Sequence, residues 1–292
     1  AALADIGTNA LRHERLAEFS IVRSPEHIAA AIKAGNISTI VVSPEAYQVQ
    51  AIMDIFYRSL ERRMDFYNLA SFYERLTGKV PLGIINQIWF LENITEGSKR
   101  LYEIEKRIID IALSCLFGFA TLVVVPLIAL IITLDSSGPV FYRQRRMGRA
   151  GKSFELIKFR TMFANDARGG AEGTTGAVWT QYNDPRITRI GSFLRKTRID
   201  ELPQLWNILK GDMSLVGPRS ERPEFHQMLT KEVPFYQERY LIKPGATGWA
   251  QLQKSYYSSV EDTMEKLQYD LYYIKNRSIV FDFGILLKTI SL

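Results

Sequence analysis

Apolar positions in the first third of the chain switch between short runs and helical spacing. Residues 17–22 (AEFSIV), 37–42 (ISTIVV) and 64–69 (MDFYNL) read as short strands. Between the first two, Ser24-Pro25-Glu26 reads as a helix start, with Ser24 as cap and Pro25 at the first helical position. Residues 45–63 carry a helical pattern. The alternation predicts an α/β unit over residues 1–95 with a small parallel sheet, a Rossmann-like accessory domain. No G-x-G-x-x-G stands between strand and helix there, so no dinucleotide site is read. Regulation or packing is the plainer role.

Residues 96–107 (EGSKRLYEIEKR) are charged and helical in pattern, and they lead into a long apolar run. Residues 108–134 (IIDIALSCLFGFATLVVVPLIALIITL) hold a single charge, Asp110. As a helix this run reaches about 40 Å at 1.5 Å per residue, against a hydrocarbon core of about 30 Å. Two membrane readings follow. The helix spans the bilayer with a tilt, or it breaks at Pro126 and returns to the face it entered from. Positive charge stands on both flanks: Lys106 and Arg107 before, and Arg143, Arg145, Arg146, Arg149 and Lys152 after. A single span under the positive-inside rule does not want cations at both ends, so the charge pattern favours the re-entrant form. Residues 96–135 are therefore read as a linker helix and membrane helix.

Residues 136–292 form the third segment. Residues 154–162 (FELIKFRTM) contain a strand that ends in the cations Lys158 and Arg160. Residues 169–180 (GGAEGTTGAVWT) read as a Gly/Thr-rich loop, and Asp184-Pro185-Arg186 as part of a turn. Residues 221–239 read as a helix, or as a helix interrupted at Pro234. Residues 243–249 form a turn-rich loop. Residues 258–276 read as a helix capped by Ser258 or Ser259, with Val260, Met264, Leu267, Leu271 and Ile274 on one face.

Composition narrows the chemistry. The chain has 292 residues, a net charge of +6 and a pI of about 9.3. A basic balance suits anionic lipid, phosphorylated substrates or nucleic acid. One cysteine, Cys115, excludes an internal disulfide framework. With three histidines, a His-rich metal site or a Ser-His-Asp triad is poorly supplied. Carboxylates are then the expected nucleophile or base. The chain begins AALADIGTNA, without a signal-peptide pattern, and ends KTISL inside an apolar run. A longer native chain is expected.

The chemistry concentrates in residues 192–219 (SFLRKTRIDELPQLWNILKGDMSLVGPR). Arg195, Lys196 and Arg198 precede the adjacent carboxylates Asp200 and Glu201. Leu202, Leu205, Trp206 and Leu209 follow at helical spacing. Cations around a carboxylate pair at a helix start point to a phosphorylated substrate. A plainer reading makes Asp200 a helix N-cap, with Glu201 favouring the positive end of the helix dipole. Adjacent residues on a helix do not share a face, so the two carboxylates are expected to do different jobs.

Several motifs stand in order. They are Gln144-x-Arg146-x-Gly148-x-x-Gly151-x-x-Phe154, Lys158-Phe159-Arg160-Thr161-Met162, Asp184-Pro185-Arg186-Ile187-Thr188, and Asp200-Glu201-Leu202-Pro203-Gln204-Leu205. NILKGDMSLVGP at 207–218 and the segment 243–251 complete them. With these motifs, residues 105–290 resemble the bacterial sugar transferase family, the monotopic polyprenyl-phosphate phosphoglycosyl transferases that initiate exopolysaccharide, O-antigen and capsule assembly. The first segment is similar to the accessory domain of the larger members, in which transmembrane helices come first.

The resemblance implies transfer of a phosphosugar from a UDP-sugar to undecaprenyl phosphate, with release of UMP. It implies Asp200 as nucleophile, forming an aspartyl-phosphosugar intermediate, and Glu201 as metal ligand or acid/base. It implies Mg²⁺ held by Asp200 and Glu201, and a re-entrant helix bent at Pro126. Lys158 and Arg195 are expected to contact substrate or hold the dyad, with Arg160, Arg186 and Arg219 as further substrate-binding cations. Arg186 and Arg219 each follow a proline, so bracing a loop is their other reading. Family members commonly have Gly-Pro-Arg-Pro where this chain has Ser220 after Arg219, which is expected to loosen that loop. The catalytic domain is expected on the cytoplasmic face of the bacterial inner membrane, mostly helical and monotopic. Membrane lipid is a partner and nucleic acid is not. A homo-oligomer through the accessory domain is compatible with the pattern. Sugar specificity is expected in the 169–180 loop. The competing reading is a non-catalytic membrane scaffold of a glycan assembly complex.

Overall fold

Ser24 caps the first helix as its sequence predicts: its Oγ accepts from the His27 N–H, with Pro25 at the first helical position. The computed structural model describes residues 21–22, 24–35, 37–62, 64–171, 184–253 and 259–291. The chain divides into two compact units between Asn93 and Ile94.

The first unit is built from α1 (Pro25–Lys33), β1 (Thr39–Val42), α2 (Gln50–Arg58), β2 (Asp65–Asn68), α3 (Leu69–Thr77) and α4 (Gln87–Asn93). β1 and β2 pair in parallel, with Thr39 opposite Asp65. A parallel pair needs a crossover, and α2 supplies it. Ile32, Val42, Ile52 and Phe56 form the core, and Phe66 meets the Phe56 ring edge-on at 5.5 Å. The helical pattern over 45–63 resolves into a 3-10 turn, Ala46–Gln48, and the shorter α2. Among the described residues the sheet has two strands. This is α/β, as read, but the wider sheet of a Rossmann-like domain is not seen. The strand expected over 17–22 lies largely outside the described residues.

The second unit opens with α5 (Arg100–Asp135), which contains the apolar run. α5 stays helical through Pro126, so the chain does not leave the helix there. Leu116, Phe119, Leu122, Val123, Leu127 and Leu134 are exposed along it. Each such side chain left in water forgoes roughly 1.5–3 kcal/mol of burial, so this surface calls for an apolar medium.

Both ends of α5 are tied to the same unit. Near its start, Lys106 pairs with Asp282 at 2.5 Å, and Asp110 Oδ1 accepts from the Leu215 N–H at 3.0 Å. Arg107 donates to the Ile208 and Leu209 carbonyls at 2.6 and 2.7 Å. At its end, Asp135 accepts from the Ile190 N–H at 3.2 Å, and Ile132 packs with Phe159 and Leu194.

The hairpin β3 (Phe141–Met147) and β4 (Ser153–Phe159) follows, with Tyr142 opposite Lys158. Then come α6 (Arg189–Lys196), α7 (Gln204–Lys210), β5 (Ser214–Val216), α8 (Pro223–Glu232), β6 (Gly245–Thr247), α9 (Trp249–Gln253), α10 (Val260–Asn276) and α11 (Ile279–Ile290). β5 pairs in parallel with β6. Ser259 caps α10, as expected, by accepting from the Asp262 N–H. The 221–239 segment is α8 followed by a 3-10 turn, Tyr236–Leu241. Most of the 169–180 loop lies outside the described residues.

Asn207 locks α7 to the hairpin. Its Oδ1 accepts from the Ile157 N–H at 3.1 Å and its Nδ2 donates to the Glu155 carbonyl at 2.7 Å. Asn207→Ala orphans both backbone groups, at about 1–3 kcal/mol each. A clear fall in thermal midpoint is expected by intrinsic fluorescence. A wild-type midpoint would show that the lock is dispensable.

Candidate active site

Strand alternation places the first cation. Phe154, Leu156 and Lys158 share one face of β4. Leu156 and Phe154 pack with Leu205 and Ile208 of α7, while Phe159 turns to the opposite side with Ile132 and Leu194. Lys158 is thereby aimed at the chain that enters α7. α6 delivers that chain. It lies close against the strand end: a Cβ on Gly191 would stand 2.0 Å from the Thr161 carbonyl oxygen, so only glycine permits this approach. After α6 the backbone turns through Arg198, which adopts the left-handed conformation (φ 56°). A short 3-10 turn, Ile199–Glu201, then presents both carboxylates.

The two carboxylates are held differently. Glu201 Oε1 accepts from Lys158 Nζ at 2.6 Å and from Arg219 at 3.1 Å. Among the described residues no hydrogen bond reaches Oε2. Asp200 is 8% exposed, and no hydrogen bond or ion pair from a described residue reaches its carboxylate. It is not a helix cap either. α7 begins at Gln204 with Pro203 at the cap position and no side-chain capping bond. The N-cap reading of Asp200 is therefore overturned.

Electrostatics separates the pair. Burial raises the Asp200 carboxyl above its ordinary value, with Lys158 offsetting in part, Glu201 adding to the rise, and Arg195 and Arg219 offsetting further. Burial also opposes ionisation of Glu201, but Lys158 and Arg219 together outweigh it and hold Glu201 well below the ordinary carboxylate range. Lys158 is itself lowered by burial, against the pull of Glu201. Adjacent titratable groups pushed apart in this way mark a division of roles.

The other cations differ in placement. Arg195 donates from Nε to Thr161 Oγ1 at 2.9 Å, and its charge bears on Asp200. Arg160 does not join the dyad. It is 2% exposed, and its guanidinium donates to the carbonyls of Ser136 (2.6 Å), Ile132 (3.4 Å) and Ser137 at the end of α5. Expected to bind substrate, it is instead taken up by carbonyls at and just after the C-terminal end of α5. Arg186 makes a bidentate pair with Asp184 at 2.8 and 2.5 Å, the loop-bracing reading of that motif. Asp184 also accepts from the Arg186 N–H at 3.0 Å, as a turn-initiating residue does.

A second charged cluster, which residue patterning did not announce, lies next to Arg219. Glu221 lies between Lys266 (3.3 Å), Arg146 (3.8 Å) and Arg239 (4.0 Å), and Arg239 pairs with Asp270 at 2.9 Å. The one available signal was Lys266 and Asp270 flanking Leu267 and Leu271 in the buried stripe of α10.

The bacterial sugar transferase family model matches residues 101–292, which contain the whole of this site. The chain belongs to the bacterial sugar transferase family. It is 40% identical over 228 residues to UDP-N-acetylgalactosamine-undecaprenyl-phosphate N-acetylgalactosaminephosphotransferase of Aeromonas hydrophila, covering 77% of this chain and 51% of the relative. It is 39% identical to UDP-glucose:undecaprenyl-phosphate glucose-1-phosphate transferase of Escherichia coli, covering 63% of this chain and 39% of the relative. Against exopolysaccharide production protein PSS of Rhizobium leguminosarum it is 41% identical, covering 63% of this chain and 92% of the relative. The chain thus spans about half the length of the Aeromonas relative.

The unequal carboxylates set opposite stability effects. The fold carries a penalty for ionised Asp200 above its unfolded pKa, relieved as pH falls through the raised folded value. Glu201, with a depressed pKa, contributes stability that is full above the ordinary carboxylate value and is lost progressively as pH falls from there through the folded one. Asp200→Asn is expected to match or exceed the wild-type melting temperature at pH 7, with the gap closing toward pH 4. Glu201→Gln leaves two cations unpaired and is expected to cost about 2 kcal/mol. An Asp200→Asn protein less stable at pH 7 would contradict the unpaired state of Asp200.

Proposed function

We propose that this chain transfers a phosphosugar from a UDP-sugar to undecaprenyl phosphate, releasing UMP, as the first membrane step of exopolysaccharide, capsule or O-antigen synthesis. The observation that carries this reading is Asp200: a buried, unpaired carboxylate beside a carboxylate already neutralised by two cations. The names of the relatives supply the substrate classes.

An Asp200 oxygen attacks the phosphorus next to the sugar. The P–O bond to UMP breaks, and its electron pair leaves with UMP. The aspartyl-phosphosugar is then attacked by a phosphate oxygen of the lipid, which frees Asp200 and yields the lipid diphosphate sugar. A carboxylate is a competent nucleophile once the diphosphate charge is neutralised. Lys158, Arg195 and Arg219 are the cations at hand, and charge-assisted bonds from them to phosphate are the strong kind. Glu201 keeps Lys158 and Arg219 in place.

Magnesium fits this donor set. Mg²⁺ binds through one or two carboxylates plus substrate phosphates rather than a full protein cage. Among the described residues no group of three His, Cys, Asp or Glu forms such a cage. Asp200 and Oε2 of Glu201, which accepts no hydrogen bond from a described residue, would hold the ion, which when bound supplies further neutralisation of the diphosphate.

The membrane element supports the lipid acceptor. One compact unit grips α5 at Lys106–Asp110 and again at Ile132–Asp135, which fits a helix whose two ends lie on one face of the bilayer, the cytoplasmic face of the inner membrane in this reading. Phe193 on α6 and Trp206 on α7 are exposed apolar side chains on the elements that flank the dyad, and Val280, Phe283, Leu287 and Ile290 of α11 are exposed as well.

UMP release should require a UDP-sugar, undecaprenyl phosphate and Mg²⁺, and Asp200→Asn should lower it on the order of 10³-fold or more. A panel of UDP-sugars read by coupled UMP detection names the sugar at the same time. Release that persists in Asp200→Asn would remove Asp200 from the chemistry. Folded wild-type protein with no release on any sugar would favour the scaffold reading.

A further inference from the structure

Residues 218–221 carry Arg219 into the site, yet they belong to no helix or strand. Such a segment would ordinarily be mobile. Here its carbonyls are taken one after another. The Pro218 carbonyl accepts from the Gly245 N–H at 2.9 Å. The Arg219 carbonyl accepts from Arg239 at 2.8 Å, and the Ser220 carbonyl from Arg146 at 3.1 Å. The Glu221 carbonyl accepts from the Met147 N–H at 2.7 Å. Gly245 lies so close that a Cβ there would stand 2.1 Å from the Gly217 nitrogen. Ser220 therefore does not loosen this loop.

Arg239 is the centre of the grip. Its side chain is 1% exposed. The guanidinium donates to Asp270 at 2.9 Å, to Tyr236 Oη at 2.7 Å and to the Arg219 carbonyl, and it lies over the Tyr236 and Tyr240 rings at 5.1 and 5.7 Å. A buried guanidinium with this many partners has one available orientation, because its fork is planar and rigid. We propose that Arg239 is a positioning residue for the transfer reaction: anchored by Asp270, it fixes the Arg219 main chain so that the Arg219 guanidinium meets Glu201 and faces the diphosphate. This rests on the function proposed above and adds to it a residue that touches no substrate.

Arg239→Lys keeps the charge but cannot make the three-way fork. It should lower kcat for UMP release on the order of tenfold or more, the scale expected when a catalytic group is misplaced by a fraction of an ångström to an ångström. The decisive reading is a double-mutant cycle with Arg219→Ala. If Arg239 acts through Arg219, the double variant is no slower than Arg219→Ala alone. Losses that multiply would overturn the proposal, since they would show that Arg239 acts elsewhere. Should Arg239→Lys fail to fold, Arg146→Gln, which releases the Ser220 carbonyl from a less buried position, runs the same cycle with the same two outcomes. Asp200→Asn in the same series separates the two claims. Release that survives it contradicts the proposed function, whereas release lost with it and multiplicative Arg239 and Arg219 effects contradict only the positioning role.

Discussion

A carboxylate buried between two cations ionises readily, and a carboxylate buried alone does not. The turn Ile199–Glu201 places one of each side by side. Glu201 takes Lys158 from β4 and Arg219 from the segment after β5, so three distant stretches of chain meet at one oxygen. That shared contact fixes the positions of the cations. It also leaves Asp200 facing a positive field without a partner of its own. In the proposed reaction a nucleophile tied up in an ion pair would be a poor one, and here the tying falls on Glu201.

Much of the second unit can be understood as support for this contact. The two faces of β4 divide the work, with Lys158 on the side packed against α7 and Phe159 on the side packed against α5 and α6. Asn207 fixes α7 to β4. Arg107 fixes α7 to α5, and Arg160 closes the far end of α5. The apolar helix and the charged site are thus parts of one packed unit. This coupling sets the position of the dyad relative to whatever surface α5 enters.

The sequence made some of this legible and hid the rest for physical reasons. Short strands and caps were readable from local chemistry, as at Ser24 and Ser259, because a cap is decided by a few neighbouring residues. The dyad and Lys158 stood out through ordered motifs. Arg160 was read toward substrate but donates to carbonyls at the end of α5, because residue type alone does not say which acceptors a guanidinium will face. Asp200 looked like a cap because sequence does not show that Arg198 adopts a left-handed conformation and delays α7 to Gln204. The Arg239–Asp270 pair was invisible for a related reason: charged residues in amphipathic helices are read as solvent-facing, and only tertiary packing buries them. Pro126 predicted a break, but α5 stays helical through it and the two anchored ends carry the relevant constraint.

The most direct test of the central claim is to catch Asp200 carrying the phosphosugar. Protein incubated with its UDP-sugar and Mg²⁺, without lipid acceptor, would be digested rapidly with trypsin and read by mass spectrometry. The account predicts a phosphosugar adduct on the peptide IDELPQLWNILK, absent in Asp200→Asn and discharged by undecaprenyl phosphate. An active enzyme that never shows the adduct, or shows it on another peptide, would contradict Asp200 as the nucleophile.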